Sequence, residues 1–131
     1  MRKDIEIPIV ENVHLAAVKE WDEEMTGQQW NVYLINNRKE AIEAVLAVSR
    51  GNSEDRKTST LRHGLGDIEA EAAKKIEFIA TEVLGFTNEY LVTFFAENKL
   101  FERSFVFEPL SISETNHVTL PVLEAEGVLA R

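Results

Sequence analysis

Cysteine is absent from all 131 residues, which removes disulfides, thiolate nucleophiles, iron–sulfur ligation and cysteine-bound zinc in one step. A chain without thiols fits the cytoplasm, and a cytoplasmic location is the expectation. Proline occurs three times and glycine six times; no internal repeat, low-complexity tract or interdomain linker is visible, and neither a fibrous nor a disordered class is indicated. Long apolar runs are also missing. Met1 leads directly into Arg2-Lys3-Asp4 with no signal-peptide core behind it, and no stretch reaches the roughly 18 apolar residues of a membrane span. Basic charge is the scarce sign: 14 Lys and Arg stand against 23 Asp and Glu, for a formal net charge of −9. Such a field repels nucleic acid and anionic lipid, so neither is an expected partner, and like charge also keeps a small protein soluble.

What is present suits a packed core. Apolar residues make up 44% and charged ones 28%, and a single domain over 1–131 buries roughly two-thirds of the surface its unfolded chain exposes. Alternation of apolar and polar residues is the dominant pattern. Ile5, Ile7 and Ile9 alternate ahead of Glu11, with Pro8 marking an edge strand or strand end. Val13, Leu15 and Ala17, continuing to Lys19 and Trp21, predict a second strand. Residues 22–27 and 51–57 read as polar connectors.

Two hairpins are predicted. In residues 89–108, a tight turn centred on Asn98-Lys99 opposes Tyr90 to Phe107, Val92 to Phe105, Phe94 to Arg103 and Ala96 to Phe101 on one face. Leu91, Thr93 and Phe95 oppose Val106, Ser104 and Glu102 on the other. In residues 30–49, a turn around Asn37-Arg38-Lys39 opposes Leu34 to Ile42, Val32 to Ala44 and Trp30 to Leu46, with Ile42, Ala44, Leu46 and Val48 as one period-two series. A helix after Asn37, with Glu40 completing a capping box and Gly51 closing it, is the rival for residues 38–50. Residues 67–84 support two readings. One is a helix capped by Asp67, striped by Ile68, Ala72, Ile76, Ile79 and Val83 and ended by Gly85. The other is a strand around Ile76-Glu77-Phe78 followed by a short helical turn. After His117, Pro121 suits a helical first turn and Gly127 a helix stop. The fold expected from these patterns is mainly β: an antiparallel, immunoglobulin-like β-sandwich with one or two short helices. The alternative is an α+β arrangement, an antiparallel sheet packed on a 67–84 helix.

Asn36-Asn37, the spacing to Ile42 and Val45, and Leu65-Gly66-Asp67-Ile68 before Ile76 resemble the strand grammar of small immunoglobulin-like domains. Arg2-Lys3-Asp4-Ile5-Glu6-Ile7-Pro8, Leu61-Arg62-His63 and Asn88-Glu89-Tyr90 together resemble a family of small bacterial proteins of unknown function. Some members of that family are labelled as a phenylalanyl-tRNA synthetase subunit. The resemblance spans nearly the whole chain and implies no established active site. The label would imply two arginines gripping ATP phosphates, one of them closing a Gly-x-Gly-x-x-Arg element. Here Gly64-Leu65-Gly66-Asp67-Ile68-Glu69 closes on a carboxylate, which repels phosphate, and the chain is short and acidic for a tRNA platform. An accessory role beside the synthetase follows from the label alone.

Local chemistry is sparse. Arg50-Gly51, Arg56-Lys57 and Arg62-His63 gather cations within an acidic chain, so Arg56, Lys57, Arg62 and His63 are the candidate anion site. Glu54 and Asp55 lie inside the same stretch, and no phosphate-cradle spacing is present. His14, His63 and His117 have no metal-ligand spacing, and no Gly-x-Ser-x-Gly elbow occurs. No metal or cofactor is expected, and no catalytic residue is identifiable. Asp22, Glu23 and Glu24 between Trp21 and Trp30 could serve a stacked sugar, though a charged loop explains the same letters. Leu91 and Phe95, with Val106, form a candidate outward apolar surface. The leading expectation is a non-catalytic interaction module that binds a protein partner or itself. A small anionic-ligand binder or enzyme built on the Arg50–His63 segment is the second.

Overall fold

The computed structural model describes residues 11–131; the expected strand carrying Ile5, Ile7 and Ile9 lies outside them. The protein is mainly β. Its strands are β1 (Val13–Trp21), β2 (Gln28–Asn36), β3 (Ile42–Asn52), β4 (Leu61–Ile68), β5 (Ala72–Ile79), β6 (Thr87–Ala96), β7 (Lys99–Phe107), β8 (Val118–Thr119) and β9 (Glu126–Leu129). Single 3₁₀ turns occupy Thr81–Val83 and Glu114–Asn116. A five-stranded sheet has the order β5-β2-β1-β9-β8 and a four-stranded sheet the order β4-β3-β6-β7. All pairings are antiparallel.

Both sheets contribute to one interior. Val13, Leu15, Val32 and Leu34 from the first meet Val45, Ala47, Val92, Phe94 and Phe105 from the second, as expected for β-branched and aromatic residues on the inner faces of a sandwich. The two outer faces differ. On the five-stranded sheet, Ala16, Val18 and Ile35 are covered by Leu120, Val122 and Leu123 from the chain around β8. The outer face of the four-stranded sheet has no such cover among the described residues.

The two borders of the sandwich also differ. At one, the chain after β9 joins the sheets through its backbone: the Ala130 amide donates to Leu15 O at 2.9 Å, and Arg131 and Val106 exchange two bonds at 2.9 and 3.0 Å. At the other, β4 and β5 face each other across the sheets with no backbone ladder between them among the described residues. Side chains bridge that seam instead, including Lys74 Nζ, which donates to Leu65 O at 2.7 Å.

Several expectations are corrected. Residues 30–49 are extended but form no hairpin, because β2 and β3 belong to different sheets and residues 37–41 turn a corner between them. Asn36 anchors that corner: its Nδ2 donates to the carbonyls of Glu40, Ile68 and Glu69 at 3.0, 3.1 and 3.0 Å, and its Oδ1 accepts from the Arg38 amide. The period-two series through Ala44 and Leu46 is broken. Ala44 sits at φ 52°, a bulge conformation, with its amide donating to Asp67 Oδ1 at 3.0 Å. The bulge reverses parity, so Ile42, Val45, Ala47 and Ser49 are buried while Leu46 turns out.

The 67–84 helix does not form. Residues 72–79 pair with β2, and only Thr81–Val83 is helical, so the α+β alternative falls. The segment after His117 is likewise β8 and β9 rather than a helix. Gly127 is needed for closeness, not as a stop: a Cβ there would lie 2.6 Å from Ala17 O. In the 89–108 hairpin the faces are as expected but the register moves by two. The turn is Glu97-Asn98, both at positive φ, and Phe94 opposes Phe101 while Tyr90 opposes Phe105. This register stacks Phe94 on Phe101 with centroids 5.4 Å apart, whereas the expected one opposes Phe94 to charged Arg103.

Candidate functional site

The densest polar constellation spans the β4/β5 seam. Opposite β5, Val32 pairs with Glu77 and Tyr33 with Lys75, leaving Ile76 as a bulge. Glu77 therefore faces inward beside Val32. Its side chain is only 18% exposed, a costly place for a carboxylate unless its oxygens are satisfied. Three groups from the other sheet do this. Oε1 accepts from Ser49 Oγ at 3.1 Å and lies 2.8 Å from His63 Nε2, and Oε2 accepts from the Tyr90 hydroxyl at 2.7 Å. Burial first, then the charge of Glu77, pushes the Tyr90 phenol well above its ordinary value.

Beside this cluster a cleft of about 210 Å³ opens, lined by Ser49, Thr58, Leu61, Glu77, Ile79, Val83, Asn88 and Tyr90 among others. Gly51, also in its lining, is closely packed: a Cβ there would sit 2.9 Å from Asn88 Oδ1 and 3.3 Å from Thr58 Cγ2, so a side chain would have to displace them. The arrangement is not a Ser-His-acid relay. Ser49 and His63 both address the carboxylate, so the imidazole does not stand between serine and acid as a proton-relaying triad requires.

The predicted anion site is not assembled. Arg56 lies over the Phe86 ring, 5.6 Å from its centroid, and Lys57 belongs to the loop bridged to Asn52. Arg62 and His63 are neighbours on a strand and face opposite ways, His63 towards Glu77 and Arg62 outward. Arg50 is held by Glu89 at 2.9 Å. The carboxylate nearest His63 would itself repel an anion. The three histidines stay apart: His14 is on β1, where burial and then Arg103 lower its pKa, and His117 packs edge-on against Trp30, 5.7 Å away. Among the described residues no group of three His, Asp or Glu is placed to hold a metal ion. Asp22 is occupied in its own turn, accepting from the Thr26 amide and hydroxyl at 2.9 and 2.7 Å, and Trp30 is buried while Trp21 is exposed, so no indole pair flanks the acids. Leu91 and Phe95 do share an outward face, 38% and 47% exposed, with Val106 partly covered beside them.

Sequence reasoning missed Ser49, Glu77 and Tyr90 as a group. Bulges at Ala44 and Ile76 carry the first two inward, and nothing in the local alternation marks either bulge.

A second acceptor, half-buried, is Glu20, which takes the Asn31 side-chain amide and the Tyr33 hydroxyl, both at 2.7 Å. Burial, then the bond to Glu20, pushes Tyr33 up to about 12. Unfolded tyrosine ionises near about 10, so above that pH the unfolded chain binds fewer protons than the folded one, and stability falls as pH rises from about 10 towards 12. Tyrosinate absorbance should therefore lag well behind the free phenol for both tyrosines, and in Tyr33→Phe it should emerge only with unfolding. Two phenols titrating near about 10 in the folded protein would contradict this.

No protein-family model, curated protein or solved structure matches the chain.

Proposed function

We propose that the chain is a non-catalytic, cytoplasmic interaction module that associates with a second copy of itself through the bare outer face of its four-stranded sheet. The carrying observation is an outward apolar strip, interrupted on β6 by Thr93. Cross-strand pairing places Val48 beside Leu91 and Phe95 beside Leu100, with Leu46 two residues along β3 from Val48. Leu46, Leu91, Phe95 and Leu100 are all substantially exposed. A strip of this kind on one sheet, when the other sheet's outer face is covered by its own chain, marks an association surface.

The border charges favour self-pairing. Arg62 stands on β4 at one side of the strip and Glu102 on β7 at the other. A two-fold axis along the strands lays β4 of one copy over β7 of its partner, so cation meets carboxylate twice, as an isologous interface requires. A net charge of −9 directs the module away from polyanions and opposes pairing of two copies, so the apolar strip has to supply the association.

Sedimentation velocity over a dilution series should show a concentration-dependent dimer. A Leu91→Glu, Phe95→Glu double variant should weaken it by more than about tenfold while leaving the β-sheet circular dichroism unchanged, because both side chains point away from the core. A wild-type protein that stays monomeric at the highest attainable concentration would refute the reading.

A further inference from the structure

We infer that the cleft at the β4/β5 seam is a binding site for a small primary alkylammonium ion, paired with Glu77 and sheathed by Leu61, Ile79 and Val83. Around the cleft the side-chain donors of Ser49, Thr58, Asn88 and Tyr90 are already spent. Ser49 and Tyr90 donate to Glu77, Thr58 Oγ1 donates to Ser59 O, and Asn88 Nδ2 donates to the carbonyls of Val83 and Phe86. What these groups still present is acceptor capacity. A carboxylate offers about four acceptor positions, and Ser49, His63 and Tyr90 take three of those on Glu77. An ammonium group, with three donors and no acceptor, complements such a floor.

Charge and shape agree. Glu77 is the one carboxylate lining the cleft, and two of its three partners, the Ser49 hydroxyl and the Tyr90 phenol, bring no positive charge to it. The lining cation, Arg50, is turned to Glu89. The net charge of −9 draws cations towards the protein. Leu61, half exposed at the mouth, and Ile79, Ala80 and Val83 supply an apolar sleeve for a short alkyl chain. A volume of about 210 Å³ is below the roughly 300 Å³ at which drug-sized sites begin, so the ligand is a compact amine. This site is separate from the outer face proposed for self-association.

The experiment is a ¹⁵N–¹H NMR titration with n-butylammonium chloride, using n-butanol and sodium butyrate as matched neutral and anionic probes. Saturable shifts centred on Ser49, Leu61, Glu77, Ala80 and Asn88 are expected for the ammonium alone, with binding weakened by roughly tenfold or more in Glu77→Gln. Equal saturation by butanol would show that charge plays no part. Saturation by butyrate would reverse the sign of the site, and absence of saturable shifts with all three would remove it; each of these outcomes overturns the inference. Should Glu77→Gln fail to melt cooperatively, Leu61→Ser at the exposed mouth decides: weaker ammonium binding supports the site, and unchanged binding with the same shift pattern overturns it.

Discussion

Replacing Asn36 with leucine is expected to lower the unfolding free energy by roughly 3–5 kcal/mol, the largest effect of any single polar substitution considered for this protein. Asn36 has no exposed surface and is the point where three chain segments are tied together. Its amide serves the carbonyls of Glu40, Ile68 and Glu69 and its oxygen takes the Arg38 amide. Leucine matches it in size but leaves those backbone groups without partners, and each buried group stranded this way costs about 1–3 kcal/mol. The loss acts at two of the four places where the chain changes sheets, between β2 and β3 and between β4 and β5. Urea denaturation followed by circular dichroism measures it. A loss below about 1 kcal/mol would mean that water or a rearranged corner satisfies the carbonyls equally well.

Phe94→Ala should cost a comparable amount, about 3–5 kcal/mol, through lost burial and the cavity left behind. Phe94 is fully buried and stacks on Phe101 across the β6/β7 pair with rings 11° from parallel. A double-mutant cycle carries more information than the single loss. Phe94 and Phe101 should couple by about 0.5–1.5 kcal/mol, which is the signature of the Glu97-Asn98 turn. Absent coupling here, with coupling between Ala96 and Phe101 instead, would point to a turn one residue later.

The hairpin shows how far local pattern reaches. Alternation in residues 89–108 separates inward Tyr90, Val92 and Phe94 from outward Leu91 and Phe95 correctly, because face assignment depends only on parity. A register error of two preserves parity, so the faces survive while the partners change. Across 30–49 the same logic fails. One bulge at Ala44, held by a carboxylate 23 residues away on β4, reverses the faces of β3, and its partner strand is chosen by the corner at Asn36 rather than by proximity in sequence. The helical stripe of residues 67–84 was a coincidence of spacing. Ile76 and Ile79 are both buried, but as a bulge and a strand residue respectively. The candidate site was the least legible part for the same reason. Glu77 meets Ser49, His63 and Tyr90 only after two bulges and a change of sheet, so a short motif search finds His63 and misses the carboxylate that determines what His63 can do. The outward pair Leu91 and Phe95, which needs nothing beyond parity, was legible from the letters alone.

The unequal borders of the sandwich make it behave as a clamshell. Parting the sheets at the border beyond β9 means tearing the main-chain bonds between Arg131 and Val106, whereas gaping along β4 and β5 separates side-chain contacts around Glu77 and Lys74. Low-energy breathing should thus lead at the open lip, with fast amide exchange there and slow exchange along β1 and β9. A guest reaching Glu77 then enters by a motion that leaves every strand pairing intact.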